Sequence, residues 1–423
     1  MDKFVIVGGT PLRGEIPISG SKNGALPLMA AALLADSPTT INNIPKLNDI
    51  YTFANVLRGT GTTVDFDEAA GVMTIDPSTL TLAEAPYDLV RKMRASFYML
   101  GALLGRVGHA KVSLPGGCAW GPRPVNLHLE GLQALGAEVD MDAGYVIARS
   151  EGSRLKGGNF LMEPSSVGAT VNLVLAAATA SGKSVIQNAA IEPDVVVLCT
   201  ALNSMGAQIE GIGSHTLTIQ GVDKLHGTTL HNAPDRIETG TFMIAAAMHP
   251  DSEVVLTGTD PHDLGYFSEM FVKTGAQLHI DGTRIAVKAP SVIKPVSIKT
   301  QVYPGFPTDL QAQWATMLTL ADGTASVTDT IYTDRFSYVP ELVRLGANLH
   351  VEGNLVIVNG PTVLKGAAVM STDLRASVSL VMAAMMAKGT SEVLRVYHLD
   401  RGYENLELKL NRVGAQITRT KDE

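Results

Sequence analysis

The 423-residue chain has only two cysteines, Cys118 and Cys199, and they sit in no C-x-x-C or Cys/His spacing. That excludes a disulfide framework and the common structural zinc sites, and makes a reducing cytoplasm the expected compartment. Aromatic residues make up only 5% and charged residues 17%, with 33 Lys and Arg against 41 Asp and Glu for a net charge of −8. A nucleic-acid-binding surface does not fit this balance, and any anion site has to come from a local basic cluster. Long apolar runs are missing too: Leu26 to Ala35 and Leu380 to Ala387 fall short of the ~18 residues of a membrane span. The opening Met1 to Gly9 alternates like a strand and lacks a basic n-region and an apolar h-region. No signal peptide is expected, and the chain reads as soluble.

What is present is 45% hydrophobic residues and 41 glycines, over a length that suits about two to three domains. Such a composition favours small-residue helices packed closely on sheets. A short phrase recurs through the chain: Thr60-Gly61-Thr62, Leu135-Gly136-Ala137, Met205-Gly206-Ala207, Thr274-Gly275-Ala276, Leu345-Gly346-Ala347 and Val413-Gly414-Ala415. The glycines lie 75, 70, 69, 71 and 68 residues apart. In each copy a helix-like stretch precedes the glycine and an alternating strand follows it, as at a helix C-cap. Upstream lies a small-residue helix, such as Ala169 to Ala180 or Leu374 to Ala387, then a turn and a β-branched strand. Six units reading helix, strand, helix, strand, with helices apolar on several faces, predict an α/β fold of two lobes. Each lobe holds three units, with helices gathered inside and sheets wrapped around them.

The repeat also disposes of Ala180-Ser181-Gly182-Lys183-Ser184, which looks like the end of a phosphate-binding P-loop. The first glycine of that motif would fall on Ala177, and sibling units carry Ala387-Lys388-Gly389-Thr390 and Ala321-Asp322-Gly323-Thr324 in the same register. A helix-to-strand turn is the reading.

Function is sought where one unit departs from its siblings. The segment Leu114 to Pro124 has three glycines and three prolines, with Cys118 near its middle and Arg123 five residues on. A nearby guanidinium favours thiolate, so Cys118 reads as a nucleophile or proton donor, against an inert loop thiol. Cys199 lies in an apolar helical stretch and reads as core. Lys22, Arg94, Arg123, Arg335, Arg375 and Arg401 stand at predicted helix starts or in turns of different units. Helix N-termini add unpaired N–H groups, so a crevice collecting these cations suits a substrate with phosphate and carboxylate groups, against surface ion pairs for any one of them. Asp309 and Asp373 read either as N-caps or as a general base beside a cationic pocket.

Ser21-Lys22-Asn23, Met93-Arg94-Ala95-Ser96, Pro115-Gly116-Gly117-Cys118, Arg123-Pro124-Val125, Ser166-Val167-Gly168-Ala169-Thr170, Pro234-Asp235-Arg236-Ile237-Glu238, Phe306-Pro307-Thr308-Asp309 and Asp400-Arg401-Gly402-Tyr403 together resemble the enolpyruvyl transferases. The resemblance runs in order along the whole chain, and the cysteine loop points to the branch acting on UDP-N-acetylglucosamine instead of shikimate 3-phosphate. It implies transfer of the enolpyruvyl group of phosphoenolpyruvate to the sugar 3-hydroxyl with release of phosphate, the committed step of peptidoglycan precursor synthesis. It implies two inside-out α/β barrel lobes, residues 1–21 with 234–423, and 22–233 carrying the loop 114–124. The sugar nucleotide would close the lobes and bring the loop down.

Carried onto matching positions, the resemblance implies phosphoenolpyruvate binding by Lys22, Asn23, Arg94, Arg123 and Arg401. It implies nucleotide-sugar binding by Asn23, Arg94, Arg123, Pro124, Val125, Asn126, Leu127, Ser166, Val167, Asp309 and Ile331. Cys118 would protonate the methylene carbon or form an adduct, Asp309 would take the proton of the sugar hydroxyl, and Lys22, Arg123 and Arg401 would stabilise charge. Arg335, Asp373 and Arg375 support them. No metal or organic cofactor is implied, and a monomer is expected. The chain departs from the family pattern at Asn126 where Asp is usual, Thr333 where Glu is common, Pro164 where Lys is frequent, and Tyr98 where Trp is frequent. The Gly121-Pro122-Arg123 spelling resembles the second isozyme of many Gram-positive bacteria. These departures motivate one alternative, a weakly active regulatory paralogue that binds the nucleotide sugar.

Overall fold

Why each unit needs two helices follows from its strands. In one repeat a short strand, Ile298–Lys299, leads into the helix Gln311–Leu318 and returns as a parallel neighbour, Thr324–Thr328. A parallel pair requires such a crossover. A second helix, Val339–Arg344, then feeds the hairpin Leu349–Glu352 and Leu355–Asn359, whose second strand pairs antiparallel with Thr324–Thr328. The computed structural model describes residues 2–91, 93–115 and 125–421, and among these the pattern recurs in six four-stranded sheets. The helix, strand, helix, strand reading therefore omits two strands of each unit. The leading strand has only two or three residues in five of the six copies, too few to register as alternation.

Contacts divide the chain into Met1–Ser19 with Pro234–Glu423, and Gly20–Ala233. In the first unit, Asp2–Val7 lies between Thr390–Leu394 and Gln416–Lys421, and Arg13–Pro17 runs parallel to Glu253–Thr257. The N-terminal segment thus completes two sheets built by the second half of the chain. Ser19 is anchored there by Glu238, which accepts from its backbone N–H at 2.6 Å and pairs with Lys409 at 2.7 Å. In the other unit, Thr229–His231 runs parallel to Thr39–Asn42, so its end closes on its beginning.

Each unit has its own core, and the inner helices are buried on all faces. Every residue from Arg375 to Met385 in the helix Leu374–Met386 is buried, as is every residue from Ile237 to Ala247 in Arg236–Ala247. In the other unit Lys22–Ala31, Met99–Val107 and Val167–Ala177 fill the same role. Close approach is needed: a Cβ on Gly101 would fall 2.2 Å from the Asn172 carbonyl oxygen of the neighbouring helix. Cys199 is fully buried in this core, and burial pushes its thiol up to about 12, so it stays protonated. Ser181 to Lys183 is a helix-to-strand turn, with Ser181 N–H donating to Leu155 O.

The six repeat glycines all adopt left-handed backbone, with φ between 89° and 110°. Each ends an outer helix: the Gly206 N–H, for example, donates to Asn203 O at 3.1 Å. A Cβ at Gly206 would meet only His226, at 3.5 Å, so its requirement is conformational. Gly206→Ala is expected to cost about 1–2 kcal/mol, and Gly206→Asn less, read as midpoints of chemical unfolding.

Candidate functional site

In the unit Met1–Ser19 with Pro234–Glu423, the inner helices begin in polar residues that face one another. Asp309 lies in a single 3-10 turn, Thr308–Leu310, ahead of Gln311–Leu318. It does not cap that helix. Its carboxylate accepts at Oδ1 from Arg335 Nη1 at 2.7 Å and at Oδ2 from Arg375 Nη2 at 3.1 Å. Arg375 is 4% exposed. Burial works against both guanidinium charges, but for Arg335 the carboxylates of Asp309 and Asp373 outweigh it, and for Arg375 Tyr403, Asp309 and Asp235 do. Both arginines are therefore permanently cationic. Asp373 is an N-cap: its Oδ1 accepts from the backbone N–H of Arg375 and Ala376 at 2.9 and 3.2 Å. By holding the first turn it fixes where Arg375 starts.

Arg335 is braced from behind. Gln311 Nε2 donates to the Arg335 carbonyl at 2.6 Å, and Tyr338 Oη donates to Gln311 Oε1 at 2.7 Å. Fully buried Asp329 accepts from Thr300 and Thr308 hydroxyls at 2.7 Å and from the Ile331 and Tyr332 N–H groups at 2.9 and 3.0 Å. Ile331 thus spends its N–H within the fold and offers a part-exposed side chain. Arg401 ends the 3-10 turn Val396–Arg401 instead of starting a helix. The preceding Asp400 is held by Arg419, with bonds of 3.0 and 2.7 Å to its two oxygens. Tyr403, two residues on, is buried beneath the Arg375 guanidinium, 5.3 Å from ring centroid to Cζ.

In the unit Gly20–Ala233, Ser21 caps the helix Lys22–Ala31, accepting from Gly24 N–H at 3.0 Å and donating to Asp194 at 2.9 Å. Lys22 is the first helical residue, and its ammonium pairs with buried Asp49 at 3.1 Å. The expectation of a cation at a helix start holds there, with a carboxylate partner that the sequence did not single out. Asn23 is exposed. Arg94 opens the 3-10 turn Arg94–Tyr98, which packs against Lys22–Ala31 and Val167–Ala177. Ser166 caps Val167–Ala177 through Ala169 N–H at 3.3 Å, and Val167 is its first residue. Pro164 follows a cis peptide bond from Glu163. Val125 precedes the helix Asn126–Ala134, where Asn126 donates to Glu130 at 3.4 Å and Leu127 is half-buried. Cys118, Arg123 and Pro124 lie outside the described residues.

That helix is tied down by His128, which the sequence reading passed over. Its Nδ1 accepts from Asn172 Nδ2 at 2.7 Å, and Asn172 also bonds Phe97 O and Gly101 N–H at 3.1 and 2.8 Å. Burial, helped by the Arg94 charge, pushes His128 down to about 3. The folded chain refuses a proton that the unfolded chain accepts below about 6.5, so stability falls as pH drops through that window, by up to about 1.4 kcal/mol per pH unit. Thermal unfolding at pH 7 and pH 5 is expected to show a smaller acid loss in His128→Gln than in the native chain.

The model of the family "EPSP synthase (3-phosphoshikimate 1-carboxyvinyltransferase)" matches residues 6–410. The chain belongs to the enolpyruvyl transferase family. It is 50% identical over 420 residues to the UDP-N-acetylglucosamine 1-carboxyvinyltransferase of Chloroherpeton thalassium, covering 99% of this chain and 97% of that protein. It is 49% identical over 424 residues to the protein of the same name from Sphingopyxis alaskensis, covering 99% of each. Among solved structures, the enolpyruvyl transferase NikO from Streptomyces tendae superposes with TM-score 0.90 at 27% identity, covering 100% of this chain and 99% of that one. An EPSP synthase from Acinetobacter baumannii, at 18% identity and TM-score 0.76 over the full length of both chains, shares the fold. These enolpyruvyl transferases bear out the expected α/β architecture of repeated units, with helices inside and sheets outside.

Proposed function

We propose that the chain transfers the enolpyruvyl group of phosphoenolpyruvate to the 3-hydroxyl of UDP-N-acetylglucosamine, releasing phosphate, at the committed step of peptidoglycan precursor synthesis in the cytoplasm. The observation that carries this reading is the Asp309 carboxylate held between two guanidinium groups, in a full-length relative of proteins bearing that activity's name. A base in that setting is fixed in direction before the acceptor arrives.

Transfer is an addition followed by an elimination. The sugar oxygen bonds to C2 of phosphoenolpyruvate as Asp309 takes the hydroxyl proton, and Cys118 gives a proton to C3. Return of a C3 proton to the Cys118 thiolate and departure of phosphate from C2 then restore the double bond in the product. Lys22, Asn23, Arg94, Arg123 and Arg401 hold the phosphate and carboxylate, and cations there stabilise the developing charge. Asn23, Arg94, Arg123, Pro124, Val125, Asn126, Leu127, Ser166, Val167 and Ile331 take the nucleotide sugar, with Asp309 at its reacting hydroxyl. Asp373 sets the first turn that carries Arg375, and with Arg335 the pair orients the base. All these groups belong to one chain, and we take the monomer as the active species. No helix among the described residues is long and apolar enough to cross a membrane. No finding favours the weakly active regulatory paralogue that binds the nucleotide sugar.

Phosphate release from phosphoenolpyruvate tests the reading. Release is expected to require UDP-N-acetylglucosamine, and to fall by about a hundredfold or more in Asp309→Ala and in Cys118→Ala. Sugar binding by the native chain without any phosphate release would instead make it a binding protein.

A further inference from the structure

A second set of buried polar groups meets Asp309 at its backbone carbonyl. Gln313 projects from the first turn of Gln311–Leu318, just after the 3-10 turn that carries Asp309, and is fully buried. Its Nε2 donates to the Asp309 carbonyl at 2.9 Å, to Thr241 Oγ1 at 3.1 Å and to Tyr403 Oη at 3.3 Å. Thr241, on the neighbouring inner helix, meets Tyr403 Oη at 2.9 Å. The ring of Tyr403 supports Arg375, whose other contact is the Asp309 carboxylate. Among the described residues Arg375 Nη1 has no hydrogen-bond partner, so Asp309 and Tyr403 orient that guanidinium.

We propose that Tyr403, together with Gln313 and Thr241, is a positioning residue for Asp309, fixing the base through its main chain on one side and through Arg375 on the other. The proposal rests on the reading of Asp309 as the base. Three observations favour it over mere core filling. Polar groups at the centre of an otherwise apolar bundle carry a desolvation cost, and a hydrocarbon of the same shape would fill that space without it. Tyr403 reaches both of the features that fix a carboxylate, the backbone that bears it through Gln313 and the cation that pairs with it directly. Tyr403 also follows the turn that ends in Arg401, its N–H donating to Leu399 O at 2.9 Å, and Asp400 of that turn is clamped by Arg419. Burial raises the phenol above its ordinary value, so its hydroxyl keeps its proton and remains a hydrogen-bond donor.

A positioning role makes a statement that a packing role does not: removing the Tyr403 hydroxyl should matter only while Asp309 is there to be positioned. The experiment is a double-mutant cycle of Tyr403→Phe and Asp309→Asn, followed by phosphate release at saturating substrates, with KM for both substrates determined for each variant. Tyr403→Phe is expected to lower kcat by about tenfold or more while both KM values stay within about threefold, and to change kcat by less than about twofold in the Asp309→Asn background. Loss of the same factor in both backgrounds, or a native kcat in Tyr403→Phe, overturns the proposal. Native turnover in Asp309→Asn is a different failure: it removes the base assignment itself, and the positioning role with it. Should Tyr403→Phe not fold, Thr241→Val removes the hydroxyl that meets both Tyr403 and Gln313 and runs through the same cycle, with the expected drop in kcat about threefold or more. A crystal structure of the Tyr403 variant supplies a readout independent of turnover, in which the 2.9 Å bond from Gln313 to the Asp309 carbonyl is expected to be lost or lengthened, re-aiming the carboxylate against Arg375. An unchanged Asp309 carboxylate there counts against the proposal.

Discussion

A helix buried on every face has no exposed side on which to carry chemistry, and each unit of this chain is built on three of them. Their side walls must be apolar or internally satisfied, so ionisable groups are pushed to the helix ends, where unpaired N–H groups and the positive dipole end favour anions. The 3-10 turn ahead of Gln311–Leu318 and the start of Leu374–Met386 accordingly bring Asp309, Asp373 and Arg375 together, and Asp235 caps the third helix nearby. Taking Arg375 and its neighbours out of water is costly, and removing one partner leaves a buried charge unpaired. The cluster is stable only complete.

This constraint explains the braces as well. A carboxylate held by two guanidinium groups keeps its direction only if the arginines keep theirs, and each is supported by residues remote in sequence. Arg335 leans on Gln311 and Tyr338, and Arg375 on Tyr403. Two buried glutamines in one short helix, Gln311 and Gln313, face opposite braces, so a single element organises both sides of the Asp309 carboxylate. The other unit follows the same logic with different residues: Asp49 holds Lys22, Asp194 holds Ser21, and Asn172 holds His128 at the start of Asn126–Ala134.

Much of the architecture was legible in the sequence because the repeat punctuates itself with glycine. Left-handed backbone at six helix ends has one cheap solution, and the regular spacing of Gly61 through Gly414 exposes the number of units before any element is assigned. The short leading strands were invisible since two residues have no period. At the site, Asp309, Arg335, Asp373 and Arg375 were picked out as charges at element starts, but the choice between capping and chemistry was open, and geometry divides it: Asp373 caps and Asp309 does not. Gln311, Gln313, Thr241, Tyr403, Asp329 and Asp49 were passed over because their roles depend on contacts across tens to hundreds of residues. Two glutamines inside an apolar helix were the one local signal, and sequence alone gives them no partner.

The account stands or falls on the Asp309 clamp, and replacing Arg375 by lysine addresses it most directly. Lysine keeps the charge but cannot keep a planar contact with the Tyr403 ring while donating to Asp309. Phosphate release at saturating phosphoenolpyruvate and UDP-N-acetylglucosamine is predicted to fall by about tenfold or more in Arg375→Lys, with the fold intact by circular dichroism. Turnover within about twofold of native would show that a positive charge near Asp309 is enough, and would contradict the claim that the geometry of the clamp sets the base.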